Sequence, residues 1–322
     1  MKKLFVIILI SLNIGLVQAQ TYKDFVQKAD SCYRAKEYKL SVGYYDKAFK
    51  IEQKNTTDLY NASCSAALFK EDKKAFNWLN LAIDNGYENI THLQIDKDLE
   101  FLHDKKEWEK LITKFQKKLE VLEANYDKPL QKELLAIYAD DQSIRFDFMK
   151  IYKEKGTGSK AVDSIGKIMM HRDSLNLIKV SKILDERGWV GKDVVGSQAN
   201  QTLFLVIQHA DLKSQQKYLP MMREAVKKGN ANAGSLALME DRVALREGHK
   251  QIYGSQIATN SITKKSFVSP LEDPDNVDKR RAEVGLGPIA EYAKKFDIVW
   301  DVEAYKKELP ELEKVSNQKK EK

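Results

Sequence analysis

Cysteine is almost absent: the 322-residue sequence holds two, Cys32 and Cys64. At most one disulfide can form, and two readings of the pair stay open. An oxidising compartment permits a bond, or both are small buried hydrophobes in neighbouring helices. Long apolar runs are missing beyond the N-terminus, so no later segment supplies the ~20 apolar residues of a spanning helix. Gly156-Thr157-Gly158 lacks the pattern of a phosphate-binding loop, which argues against nucleotide chemistry. There is no His-x-x-x-His pair for a metal, and no serine or cysteine in a strand–turn–helix elbow for a nucleophilic triad. Neither a metal nor a cofactor is expected.

The N-terminus carries an address. Lys2 and Lys3 precede "LFVIILISLNIGLV", and Val17-Gln18-Ala19 ends the run with residues that signal peptidase accepts. This is the pattern of a secretory signal peptide over residues 1–19, and it implies a periplasmic or extracellular protein. No cysteine sits at the junction, which disfavours a lipid-anchored form. Removing the two lysines lowers the formal charge from +7 to +5, a mild excess that a solvated surface accounts for. The closing "NQKKEK" reads as a disordered basic tail, not a nucleic-acid arm. Nucleic acid is not an expected partner, nor is the membrane once the signal is cleaved.

What is present begins with a repeat. Phe25 and Leu59, Ala29 and Ser63, Ser41 and Ala75, Tyr45 and Leu79, and Ala48 and Ala82 each stand 34 residues apart. "YYDKAFKIEQ" and "NASCSAALFKEDKKAFNWLNLAI" resemble tetratricopeptide repeats, which have this period and place small residues at helix crossings. Gln53 replaces the proline that usually closes a repeat. Asp96-Lys97-Asp98-Leu99 and Trp108 resemble the cap of such an array. The resemblance implies a TPR-like helical array over residues 20–118, holding a protein or peptide or serving as a platform for the domain behind it.

A linker helix over 119–127 leads to Lys128-Pro129, where the ring breaks the preceding helix. Leu134, Ile137, Tyr138, Ile144 and Phe148 then recur at helical spacing. A long helix is expected to end at Gly188, followed by a turn that plants Trp189 and helices near 195–209, 213–228 and 232–246. "KQIYGSQIATNSITKKSFVSPLEDP" alternates and reads as a hairpin. Two short helices follow to residue 296, and residues 297–322 read as a terminal helix and tail. The fold class is mainly α, a helical-hairpin array followed by a mainly helical domain with one small β-hairpin.

The second domain carries an ordered set of polar motifs. They are Asp141-Gln142 with Arg145, Asp173 with Asn176, Gly188-Trp189, Gln208-His209-Ala210-Asp211 and Asp241-Arg242. Gly248 with Gln251, Tyr253-Gly254-Ser255-Gln256, Val277-Asp278 with Arg281, and Gly285-Leu286 complete the set. Over residues 128–296 this order resembles a bacterial domain family of unknown function, DUF6624. Ser255 stands where that family usually has threonine. The resemblance implies a domain boundary and no activity.

Function must come from the side chains. The apolar run Leu203–Ile207 finishes in Gln208, His209 and Asp211, with Gln208 and Asp211 extending the buried stripe. Asp211 either caps the next helix or joins His209 and Asp241 in a site, with Arg145 and Arg242 as counter-charges. His209 would then exchange a proton, oriented by a carboxylate. On a strand, Gln251, Tyr253 and Ser255 would share one exposed face, a platform for a carbohydrate or a peptide backbone, with Gln256 on the other. Asp141 and Arg145 suit an ordinary helix salt bridge. Asp173 and Asn176 either join the cluster or bond to each other, and Trp189 is an anchor or a ligand platform. Two functions emerge as expectations: an envelope binding or scaffold protein with a polar pocket for a glycan or peptide, or an envelope hydrolase using His209 with Asp211 and Asp241.

Overall fold

The computed structural model of the protein describes residues 22–156, 158–260 and 263–318. The expected signal peptide and the end of the basic tail lie outside them. Among the described residues the chain is mainly α with one two-stranded antiparallel sheet. It divides into two compact units, with the boundary between Ala124 and Asn125. Among the described residues no helix is long and apolar enough to cross a membrane.

The first unit is an array of helical hairpins. Helix α1 (22–34) is followed by α2 (Tyr38–Phe49), α3 (Thr56–Leu68) and α4 (Asp72–Asp84). The short α5 (Ile90–Ile95) and α6 (Glu100–His103) lead into α7 (Lys106–Leu122). The 34-residue spacing marks the core: Ala29, Ser41, Tyr45, Ala48, Leu59, Ser63, Ala75, Leu79 and Ala82 are all fully buried. Small residues let α3 approach α2, where the hydroxyls of Ser41 and Ser65 pair at 2.9 Å. Leu99 and Leu102 are fully buried, and Asp96 and Asp98 accept the hydroxyls of Tyr60 and Tyr33. Both cysteines are free thiols, with Cys64 buried and its Sγ 3.7 Å from Asp96. α7 ends at Leu122 and a 3-10 turn, Glu123–Asn125, stands where a linker helix to 127 is expected.

The second unit starts on two 28-residue helices, α8 (Lys128–Lys155) and α9 (Lys160–Arg187). Asp127 and Ser159 cap them by accepting the amides of Leu130 and Val162, and Pro129 sits in the first turn of α8, where its missing N–H costs nothing. After a four-residue turn of helix, α10 (Lys192–Val195), the apolar helix α11 (Ser197–His209) packs against α8 and α9. Helices α12 (Leu212–Lys227) and α13 (Ala233–Glu247) pack on each other and on α11, around a core that includes Leu134, Val180, Leu203, Ile207, Met222 and Met239.

The β element is shorter than alternation predicts. Strands β1 (Ile257–Thr259) and β2 (Ser266–Val268) pair with Ala258 opposite Phe267, and upstream only Gln251 bridges to Leu271. α14 (Val277–Glu283), α15 (Ile289–Lys294) and α16 (Val302–Gln318) complete the unit. α16 is part of this small core: Tyr305 is buried, donates its hydroxyl to Ser269 O at 2.9 Å, and packs with Val268, Leu271 and Ile289. The structural element thus runs past the boundary expected at residue 296.

Candidate functional site

Three helices bring the polar motifs of the second unit together. α11 ends at His209, and its imidazole meets α8 at Asp141 and Arg145. Asp141 Oδ1 lies 3.1 Å from His209 Nδ1, and Arg145 Nε donates to His209 Nε2 at 3.3 Å. A carboxylate only accepts here and a guanidinium only donates, so this arrangement places the imidazole proton on Nδ1. From α9, Asp173 accepts both hydrogen bonds of Arg145 Nη2, at 2.9 and 3.0 Å. Arg145 Nη1 donates to Asp141 O at 2.8 Å and pairs with its carboxylate at 3.2 Å. Gln142 completes the shell of Asp141 at 2.7 Å.

Burial sorts the four principal members. Asp141 is enclosed, with 1% of its side chain exposed, while Arg145, Asp173 and His209 each keep 21%. Burial alone would push the Asp141 carboxyl up. His209, Arg145 and Gln142 outweigh it and hold the group below the usual carboxylate range. Asn176 is buried and donates to Asp140 at 3.1 Å, so it flanks the cluster and does not bond Asp173. Ligand atoms of Asp141, Asp173 and His209 lie within 4.8 Å of one another, a set that suits a divalent ion. Arg145 already pairs with both carboxylates, so a metal would have to displace the guanidinium.

The other expected partners of His209 stand elsewhere. Asp211 is exposed and caps α12, accepting the Ser214 amide at 2.7 Å, which also holds its carboxyl below the usual range. The helix ends at His209, so Asp211 does not continue its stripe. Neither Arg145 nor Arg242 pairs with it: Arg242 donates to Gln208 O at 2.7 Å and to Gln256 Oε1 at 3.1 Å. Asp241 is fully buried and takes three backbone amides, Ile252 at 2.7 Å and Tyr253 and Ser255 at 2.9 Å. Burial pushes its carboxyl above the usual range, although those three amides work in the other direction. It is a loop anchor.

That anchor removes the expected platform. Curling 252–255 around one carboxylate turns the segment away from a strand, so Gln251, Tyr253 and Ser255 share no exposed face. Gln251 is fully buried and donates to Ser269 O and Gln256 O, and Ser255 is buried. Tyr253 is half-buried, and Gln256 donates to Leu238 O and Ser255 Oγ. The loop closes over α15 at Gly254 (φ +66°), where a Cβ would lie 2.5 Å from Ile289 Cδ1. From outside, Arg280, Arg281 and Tyr292 bond the carbonyls of Ile252, Tyr253 and Ser255. Gln208 is buried, donates to Leu238 O at 3.3 Å and leaves its Oε1 without a partner. Trp189 is buried in the main core of the unit, and its Nε1 likewise has no partner.

Gln215 and Arg246 carry no motif that marks them in the sequence, yet both belong to this region. Gln215 is fully buried and donates to Gln208 O at 2.9 Å, while Arg246 bonds Ala210 O and Gln215 Oε1 and so ties off the end of α11. The one signal for Arg246 is spacing, since it lies one helical turn beyond Arg242 on the same face, and Gln215 has none.

No curated protein and no solved structure matches the chain. The model of the family of unknown function DUF6624 matches residues 128–305, which spans α8 through the first turn of α16 and includes Asp141, Arg145, Asp173, His209 and Asp241. With more than half of its 322 residues matched, the chain belongs to the DUF6624 family.

Proposed function

We propose that this is an exported cell-envelope binding protein whose DUF6624 domain presents the Asp141–Arg145–Asp173–His209 centre to a glycan or peptide. The observation that carries the reading is the convergence of these side chains from α8, α9 and α11 on a partly open patch. The patch offers donors and acceptors side by side, the chemistry that recognises hydroxyls and amides. The hairpin array is read as tetratricopeptide-like and as the holder of a protein or peptide, supported by the burial of residues 34 apart. Export rests on the charged start, apolar run and Val17-Gln18-Ala19 end of the first 19 residues.

A second reading, a hydrolase acting on envelope material, is favoured by the Asp141–His209 pair. A carboxylate that fixes Nδ1–H makes Nε2 the acceptor, which would have to exchange its Arg145 Nε–H donor for water before taking a proton. Asp141, not Asp211 or Asp241, is the orienting carboxylate in this version. Co-sedimentation of the full chain with purified cell-wall sacculi separates the readings. Binding that Arg145→Ala and His209→Gln both weaken supports the first, and release of soluble sugar or peptide that His209→Gln abolishes supports the second. Absence of both binding and release overturns the pair. N-terminal sequencing of protein recovered from the periplasm or medium should begin at Gln20; unprocessed protein in the cytoplasm refutes export.

A further inference from the structure

The opposite end of α11 borders a cavity of about 470 Å³, well inside the ~300–1,000 Å³ range of small-molecule sites. α11 rises ~1.5 Å per residue, so this end stands about 18 Å along the axis from His209. Trp189, Phe204 and Met222 supply the apolar wall. Ser197, Asn200, Gln201, Asn232 and Ser235 supply amides and hydroxyls, and Lys192 is the one charged residue in the lining.

The rim is built. Asn200 donates to Val190 O at 2.6 Å and to Asn230 O at 2.8 Å, pinning the 188–191 turn to the 229–232 turn. The turns meet so closely at Gly191 that a Cβ would stand 2.2 Å from Asp193 Oδ1 and 2.7 Å from Asn230 Oδ1. Two donor features stand nearby. α11 starts from Gly196, which offers no side-chain cap to its first amides. Trp189, only 7% exposed, carries an Nε1–H that is shielded from water and has no acceptor in the protein. A buried indole donor ordinarily has a partner.

A wall of amides and hydroxyls with one lysine, an uncapped helix start and no acid among its lining residues favours negative charge. The apolar wall and the volume exceed what a bare inorganic anion would fill. We propose that this cavity binds a small organic oxyanion of sugar size, its carboxylate or phosphate at Lys192 and the start of α11 and its body against Trp189 and Phe204. This site goes beyond the His209 centre and stands or falls separately from it.

Titration calorimetry on the full chain, with ¹⁵N-detected indole signals in parallel, tests the proposal using gluconate, glucose 6-phosphate, inorganic phosphate and glucose. Gluconate or glucose 6-phosphate should bind saturably, one per chain, and shift the indole signal that disappears in Trp189→Phe. Which of the two binds tells carboxylate from phosphate. Lys192→Gln, at an exposed position that folding does not depend on, should weaken binding at least tenfold, while His209→Ala should leave it unchanged. Several results overturn the proposal. They are no saturable binding of either organic anion, equal binding of glucose or inorganic phosphate, or unchanged affinity in Lys192→Gln. If Trp189→Phe fails to fold, the Lys192→Gln affinity alone decides.

Discussion

Asp241→Asn is the sharpest test of how the C-terminal domain is built. The carboxylate holds Ile252, Tyr253 and Ser255 amides at 2.7, 2.9 and 2.9 Å with none of its surface exposed. An asparagine oxygen can keep the Ile252 and Tyr253 amides, but its NH₂ then faces the Ser255 N–H, donor against donor. Hydrogen bonds to a charged group contribute about 1.5–3 kcal/mol against about 1 for neutral ones, and a buried unmet donor costs about 1–3. The lost bond, the two weakened bonds and the unmet donor, less the burial cost that a neutral amide escapes, sum to a loss of about 3–5 kcal/mol. The carbonyl tethers from Arg280, Arg281 and Tyr292 remain, so the variant should fold with a loosened 250–257 segment. In a domain of 150–250 residues each kcal/mol moves Tm by about 2–4 °C, giving a drop of about 6–20 °C. Thermal unfolding by circular dichroism, with hydrogen exchange on peptides covering 250–257, reads both effects. A Tm within about 2 °C of wild type with unchanged exchange would refute the anchor and reopen a chemical role for Asp241.

Three further outcomes are expected. Asp141→Asn should cost about 3 kcal/mol in urea unfolding at pH 7, because Arg145 loses a buried partner while keeping Asp173. The folded carboxyl is depressed, so its contribution is complete above about pH 4 and fades as pH falls through the lowered value; the gap to wild type should close only in strong acid. A gap that closes near pH 6 counts against the assignment. Asp211→Ala should remove a helix cap worth about 1 kcal/mol and leave any His209-dependent binding or turnover untouched; loss of that function restores Asp211 to the site. Tyr305→Ala should cost about 3–5 kcal/mol by emptying the small β-side core, whereas a change under 0.5 kcal/mol would place α16 outside the domain.

Much of the fold was legible because its signals are local. Helical periodicity, Pro129 in the first turn of α8 and the glycines at 188, 229 and 248 that come after α9, α12 and α13 act within a few residues, and they located α8, α9 and α11 to α13 closely, while the four-residue α10 falls where a turn is expected. The spacing of 34 picked out side chains that are buried in the first unit. Alternation over 250–256 misled, because it describes a strand only where a ladder forms. Here a single carboxylate 11 to 14 residues earlier takes the amides instead. Tyr305 was likewise set apart from the domain, since its partner Ser269 is 36 residues away.

The candidate site shows the division most clearly. The residue types were all present as short motifs in the sequence, including the Asp141–Arg145 pair within one turn of α8. What could not be read was which carboxylate serves His209: Asp211 stands two residues away in the chain, yet Asp141, 68 residues away, makes the bond. Sequence determines helices, caps and core spacing because those depend on neighbours along the chain. Tertiary packing alone decides which polar groups lose their water and must find each other, because desolvation is a property of the assembled interior and not of any segment.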